Sequence, residues 1–161
     1  MYHETILPDG PVSPAFAPAD DHSILLCPPA KLPCTPFTAD AEHHVREGGI
    51  DPVFGNVSWR TLISSDRTPS ADMVLGIAEF PANGMLHPHR HAPAEFYLGL
   101  SGDGVVTIDG NTYRIATGIA VFIPGNAEHA VAAGADGLSF AYGFAKDAFS
   151  DIDYVFSEPR A

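Results

Sequence analysis

One stretch constrains this chain more than any other: His87-Pro88-His89-Arg90-His91-Ala92-Pro93-Ala94-Glu95-Phe96-Tyr97. Side chains of an extended strand alternate between its two faces. A regular strand here would point His87, His89 and His91 the same way. Glu95 and Tyr97 would share a face in the segment that follows. Three imidazoles, one carboxylate and one phenol would then converge on one volume. Imidazole plus carboxylate suits Fe, Mn, Ni, Co, Cu or Zn. A second stretch, residues 118–129, is an apolar strand, a Pro124-Gly125-Asn126 turn and one more histidine, His129.

The surrounding chain reads as short strands joined by turns. Strands are expected over residues 57–63, 73–80, 96–100, 105–108, 112–115, 119–123, 130–132 and 138–144, with a last one at 152–156. Gly102-Asp103-Gly104 is expected to separate two of them. Asp109-Gly110 is the clearest hairpin signal, because Asp-Gly favours the tight turn that matches strand twist. No helix-period pattern competes over this range. With 15 glycines, 15 prolines and 45% apolar residues in 161, the chain reads as one all-β domain, a barrel or double-sheet jelly roll.

The two histidine stretches resemble the paired motifs of the cupins. The first motif is H-x-H, three or four residues, E, six residues, G, which here is His89, His91, Glu95 and Gly102. The second is G, five residues, P-x-G-x-x-H, which here is Gly118, Pro124 and His129. The resemblance implies a cupin barrel (double-stranded β-helix, or jelly roll) over residues 51–161. It also implies one divalent transition metal per subunit (Fe, Mn, Ni or Zn) on His89, His91, Glu95 and His129. Two motif glycines are replaced. Asn83 stands six residues before the first histidine with Gly84 beside it, and Asn126 follows Gly125. Asparagine tolerates the left-handed backbone such turns need.

The string His89-x-His91-x-Pro93-x-Glu95-x-Tyr97 further resembles the cupin-type dimethylsulfoniopropionate lyases. In that family the matching tyrosine removes a proton alpha to a metal-bound carboxylate, and dimethyl sulfide leaves. The resemblance makes Tyr97 a candidate general base, since a phenol beside a dication loses its proton more easily. Its other reading is a barrel tyrosine that hydrogen-bonds Glu95 or shapes the pocket. His87 is open between a fifth ligand, a donor behind the ligands, an acid/base at the barrel mouth and a solvated histidine. Arg90 is expected on the opposite face. Trp59, Phe140, Tyr142 and Phe144 are either core or the wall of an apolar cavity.

Residues 1–50 lie outside the resemblance. Eight prolines among residues 1–36 predict an extended arm. Ile24-Leu25-Leu26 is too apolar for a free one, so the arm is expected to pack on the barrel or on a second subunit, and a homodimer fits cupins generally. A short polar helix is expected over residues 38–47. His43 and His44 are adjacent, diverge, and do not chelate one metal. Lys plus Arg total 8 against 20 Asp plus Glu, a formal net charge of −12. That balance argues against nucleic acid and anionic membranes as partners. Cys27 and Cys34 match no zinc spacing and read as thiols of a cytoplasmic protein without a signal peptide. The function expected is a metal-dependent enzyme on a small organic molecule. It is either a dioxygenase, or a lyase or isomerase using the metal as Lewis acid. The alternative is a non-catalytic small-ligand-binding or sensor cupin, for which no DNA-binding helix pair is present in sequence.

Overall fold

Alternation of apolar and polar residues builds nine strands: β1 (Glu47–Gly48), β2 (Ser58–Ile63), β3 (Val74–Phe80), β4 (Met85–Arg90), β5 (Glu95–Ile108), β6 (Asn111–Ala116), β7 (Ala120–Ile123), β8 (His129–Phe144) and β9 (Val155–Phe156). The computed structural model describes residues 34–157. Among them the only helical elements are two 3-10 turns, Ala41–His43 and Phe149–Asp151. Every strand pairing is antiparallel, in the order β1-β2-β3-β8-β4-β9, with β5 joining β8 to β6 and β7.

The expected break at residues 102–104 does not occur. β5 runs through it, and β8 likewise joins the two strands expected at 130–132 and 138–144. The glycines act as bulges instead of a turn. The β5–β8 register shifts between Gly99 and Ser101 and again between Gly102 and Gly104. Gly102 sits at φ +68, and a Cβ on it would collide with the Gly137 carbonyl. The first half of β5 therefore pairs with the second half of β8, and the second half of β5 with the first half of β8. One curled sheet is thus folded into two layers. The Asp109-Gly110 turn forms as expected, with φ 47 and 83 at the two positions.

Between the layers lies the core. Tyr97, Phe140, Ile115, Ile123, Val74, Val106 and Val131 are all at most 2% exposed. Phe140 stacks on Tyr97 at 4.1 Å between ring centroids and meets Phe80 at 5.5 Å. Burying a side chain of this size contributes about 2–3 kcal/mol.

Residues 34–50 already lie against the barrel. The Thr35 N–H donates to the Pro69 carbonyl (3.1 Å), and β1 pairs with β2 through Glu47↔Trp59 and Gly48↔Ser58. In place of the helix expected at 38–47 there is a single 3-10 turn, capped where the Asp40 carboxylate accepts from the Glu42 N–H at 3.0 Å. His43 is exposed and 3.3 Å from Asp40. Cys34 is exposed. The strand expected near residue 24, and Cys27, lie outside the described residues.

Candidate metal centre

Four side chains meet where β4, β5 and β8 come together. His89 is on β4, His91 lies one residue past its end, Glu95 begins β5 and His129 begins β8. His89 and His129 are direct antiparallel partners. The Ala92-Pro93-Ala94 corner turns the chain from His91 back to Glu95. The second motif is tied to the first by its own turn. The Asn126 N–H donates to the His91 carbonyl at 2.8 Å, and Asn126 takes φ 63. Gly125 packs so close to the Ala92 carbonyl that a side chain there would collide with it. Asn83 also takes a left-handed φ, 56. Both asparagines adopt the backbone that glycine would otherwise supply.

His89, His91, Glu95 and His129 are 0%, 3%, 5% and 1% exposed. One ring nitrogen from each histidine falls within a group spanning at most 4.8 Å. Glu95 Oε2 lies 3.2 Å from His91 Nε2 and 3.3 Å from His129 Nε2. On the other side of each ring, Nδ1 faces a carbonyl two residues away. The distances are 2.8 Å for His89 to His87 O, 2.9 Å for His91 to Pro93 O, and 3.0 Å for His129 to Ala127 O. A carbonyl only accepts, so each Nδ1 carries a proton, and the Nε2 of a neutral ring then presents its lone pair inward.

Nε2 of His89 and of His129 are buried without a hydrogen-bond partner. A buried unpaired polar atom costs about 1–3 kcal/mol, so two within one histidine cluster need an explanation. A cation held by three imidazoles and a carboxylate fits that donor set. Electrostatics agree. Burial, then the neighbouring His129, pulls His89 down from 6.5 to about 4, so its ring is neutral and free to ligate. Burial works against charge on Glu95, but the neighbouring His129 and His91 imidazoles outweigh it and hold the carboxyl below its ordinary value. His91 is opposed by burial and raised overall by its bond to Glu95.

His87 stands apart. The β4–β8 register shifts between Leu86 and His89, so strict alternation fails across His87-Pro88. Proline has no N–H for the ladder. Leu86 lines the central cavity, while His87 Nδ1 lies 3.2 Å from the Val53 carbonyl. The shared face expected for three histidines thus covers His89 and His91 only. Arg90 is exposed and lies 3.4 Å from Glu128.

That cavity, of about 210 Å³, opens beside Glu95 between the two layers. Tyr97, Trp59, Phe140 and Tyr142 line it; Phe144 packs edge-on against His91 instead, 5.1 Å between centroids. The wall is almost wholly aromatic and aliphatic. Burial and then the Glu95 charge raise the Tyr97 phenol well above 10. Burial also pushes the Tyr142 phenol up, and its hydroxyl pairs with Thr61 at 3.1 Å. Trp59 Nε1 is a further buried polar atom without a partner.

Tyr154 is the residue sequence reasoning missed. Its ring lies 5.4 Å from that of His89 and 5.3 Å from that of His91, and it lines the cavity with Phe149 and Phe156. The period-two run Ile152, Tyr154, Phe156 marks the closing strand, but the pattern alone does not say which strand it pairs with. What brings it in is β9, pairing Phe156 with His89.

Residues 76–140 match a family model described as a cupin domain. The chain is 54% identical over 129 residues to dimethylsulfoniopropionate lyase DddW of Ruegeria pomeroyi, covering 80% of this chain and 85% of that protein. Among solved structures, the polyketide cyclase RemF from Streptomyces resistomycificus superposes with TM-score 0.64 at 23% identity, over 77% of this chain and 89% of that one. A structure reported for the DMSP lyases RdDddP and RnDddQII gives TM-score 0.61 at 18% identity, over 72% and 63%. Identities this low speak to the fold alone.

Proposed function

The chain belongs to the cupin family, with DddW as a relative along most of its length, and on that premise we propose that it is a metal-dependent lyase acting on dimethylsulfoniopropionate. His89, His91, Glu95 and His129 would hold a divalent metal. Bound there, it would supply Lewis-acid stabilisation of negative charge on a substrate carboxylate. The observation that carries the reading is the pair of buried Nε2 atoms of His89 and His129 without a hydrogen-bond partner, clustered with His91 beside Glu95 at the wall of an aromatic cavity.

The chain's own groups divide the remaining work. Tyr97 is the base: it takes the proton from the carbon alpha to the carboxylate, the carbon–sulfur bond breaks, and dimethyl sulfide and acrylate result. Burial and the Glu95 charge keep the phenol protonated in the metal-free site. Proton abstraction therefore requires that charge to be compensated, which a cation on Glu95 does. The aromatic wall excludes water and suits the sulfonium end, because ring faces attract cations. His87, at the Val53 carbonyl, keeps a proposed role at the cavity mouth as an acid/base for the departing proton.

The test is gas-chromatographic assay of dimethyl sulfide from dimethylsulfoniopropionate, with oxygen uptake followed in the same vessel. Dimethyl sulfide equimolar with acrylate, lost on chelation and restored by a divalent metal, is the expected result. Oxygen consumption without dimethyl sulfide would move the site to dioxygenase chemistry and overturn the reading. Among the described residues no helix is long and apolar enough to cross a membrane. The proposal includes a cytoplasmic homodimer, checked by fractionation and by a solution mass twice the 17.0 kDa of one chain.

A further inference from the structure

The cavity chemistry leaves one surface unused. On the outside of the first layer, Phe96, Leu98 and Leu100 of β5 alternate with buried neighbours and are 42%, 38% and 42% exposed. Phe96 is flanked by Phe122 of β7, itself 69% exposed, and by Gly143 of β8. The Phe96 ring fills the space a Gly143 side chain would take. Leu98 is flanked by Ala120 and Ala141. Both rows continue onto β3, where Leu75 pairs with Gly143 and Ile77 with Ala141. They end at the polar pair Glu79 and Ser139, where Arg60 makes an ion pair with Glu79.

Across four strands the two paired rows make an apolar surface about 14 Å wide and about 7 Å deep, and Leu100 extends it by one further outward position on β5. Those dimensions fit one extended segment. A stable subunit interface takes about 800 Å² from each partner, more than two such rows offer.

We propose that the segment around Ile24-Leu25-Leu26 of the same molecule lies across this surface and covers Phe96, Leu98 and Phe122. Thirty-three residues precede Cys34, and the described chain comes in at Thr35, bonded to Pro69. Pro69 lies in the connection that leads into β3, whose Leu75 opens one apolar row. The nine residues from Leu26 to Thr35 reach up to about 30 Å when extended, ample to span the rows. Residues 23–30 carry no charge in a chain of net charge −12. Pro28, Pro29 and Pro33 bar a helix and favour extended chain.

The test uses the full chain with Cys34→Ser, which leaves Cys27 as the single thiol for a nitroxide label. Attenuated amide signals at Phe96, Leu98 and Phe122, with Val105 and Tyr113 on the other layer unaffected, is the expected result. Adding Leu25→Asp and Leu26→Asp should restore those signals. A mixture of isotope-labelled chains without nitroxide and unlabelled chains with it separates the two sources. Attenuation in that mixture assigns the surface to a second copy and overturns the proposal. Equal attenuation on both layers, none at all, or persistence in the aspartate variant overturns it as well.

Discussion

His89 gives the sharpest quantitative prediction. Its ring is fully buried, with its Nδ1–H donated to the His87 carbonyl, and its ionisation falls from 6.5 to about 4. An unfolded chain binds a proton at His89 near pH 6.5; the metal-free fold does so only near pH 4. Between those values the unfolded state holds more protons, so stability falls as the pH falls. At 1.36 kcal/mol per pH unit the loss from this one ring is about 2 kcal/mol at pH 5 and about 3 kcal/mol by pH 4. His91 acts in the opposite direction, because Glu95 raises it, and its contribution is present at low pH and lost as pH rises through its folded value. His89→Asn keeps a donor near the position of Nδ1 and removes the titrating group. Denaturant unfolding of chelator-treated protein at pH 7.5 and pH 5 should show wild type losing about 2 kcal/mol more than His89→Asn. Equal losses in the two proteins would refute the claim that His89 is buried neutral.

Three further predictions concern the site and its wall. His91→Ala, or the same change at His129, should lower bound metal severalfold with the far-ultraviolet circular dichroism unchanged; full occupancy in both variants would break the ligand assignment. Tyr97→Phe should slow dimethyl sulfide release by about 10²- to 10⁴-fold while metal content stays the same, and a wild-type rate would remove Tyr97 as the base. Gly76→Ala places a Cβ against the Tyr142 hydroxyl and the Arg60 carbonyl. Such overpacking should cost about 1–3 kcal/mol in a denaturant titration, and no loss would show that Tyr142 can retreat.

The cluster of His89, His91, Glu95 and His129 was legible because its members are spaced by local rules. His89 and His91 are two apart on extended chain, and the corner Ala92-Pro93-Ala94 fixes where Glu95 comes back. The asparagine substitutions in the turns were legible too, since φ 56 at Asn83 and φ 63 at Asn126 are backbone that this residue type accepts. The strand lengths were not. Gly102-Asp103-Gly104 has turn composition, yet β8 supplies partners on both sides of it, and the ladder continues across the bulge. Alternation alone puts His87 on the face of His89 and His91, and a register shift between Leu86 and His89 interrupts it. Tyr154 was out of reach because its place at the imidazoles depends on β9 pairing with β4, a contact between residues far apart in sequence.

The carbonyls behind the three imidazoles have a consequence for how such a centre changes over time. Each belongs to a residue two positions from the histidine it orients: His87, Pro93 and Ala127. The hydrogen bond behind each ring is therefore written in a few adjacent residues of its own chain segment and does not involve the aromatic side chains across the cavity. Those side chains come from other strands, Trp59 on β2, Phe140 and Tyr142 on β8, and Tyr154 before β9. Reaction centre and substrate wall are thus separable inheritances. Substitutions at wall positions away from the imidazoles, such as Trp59, can exchange one small molecule for another while those three hydrogen bonds stay in place, so a barrel of this kind can change its chemistry by redecorating one side of a room whose fixtures remain.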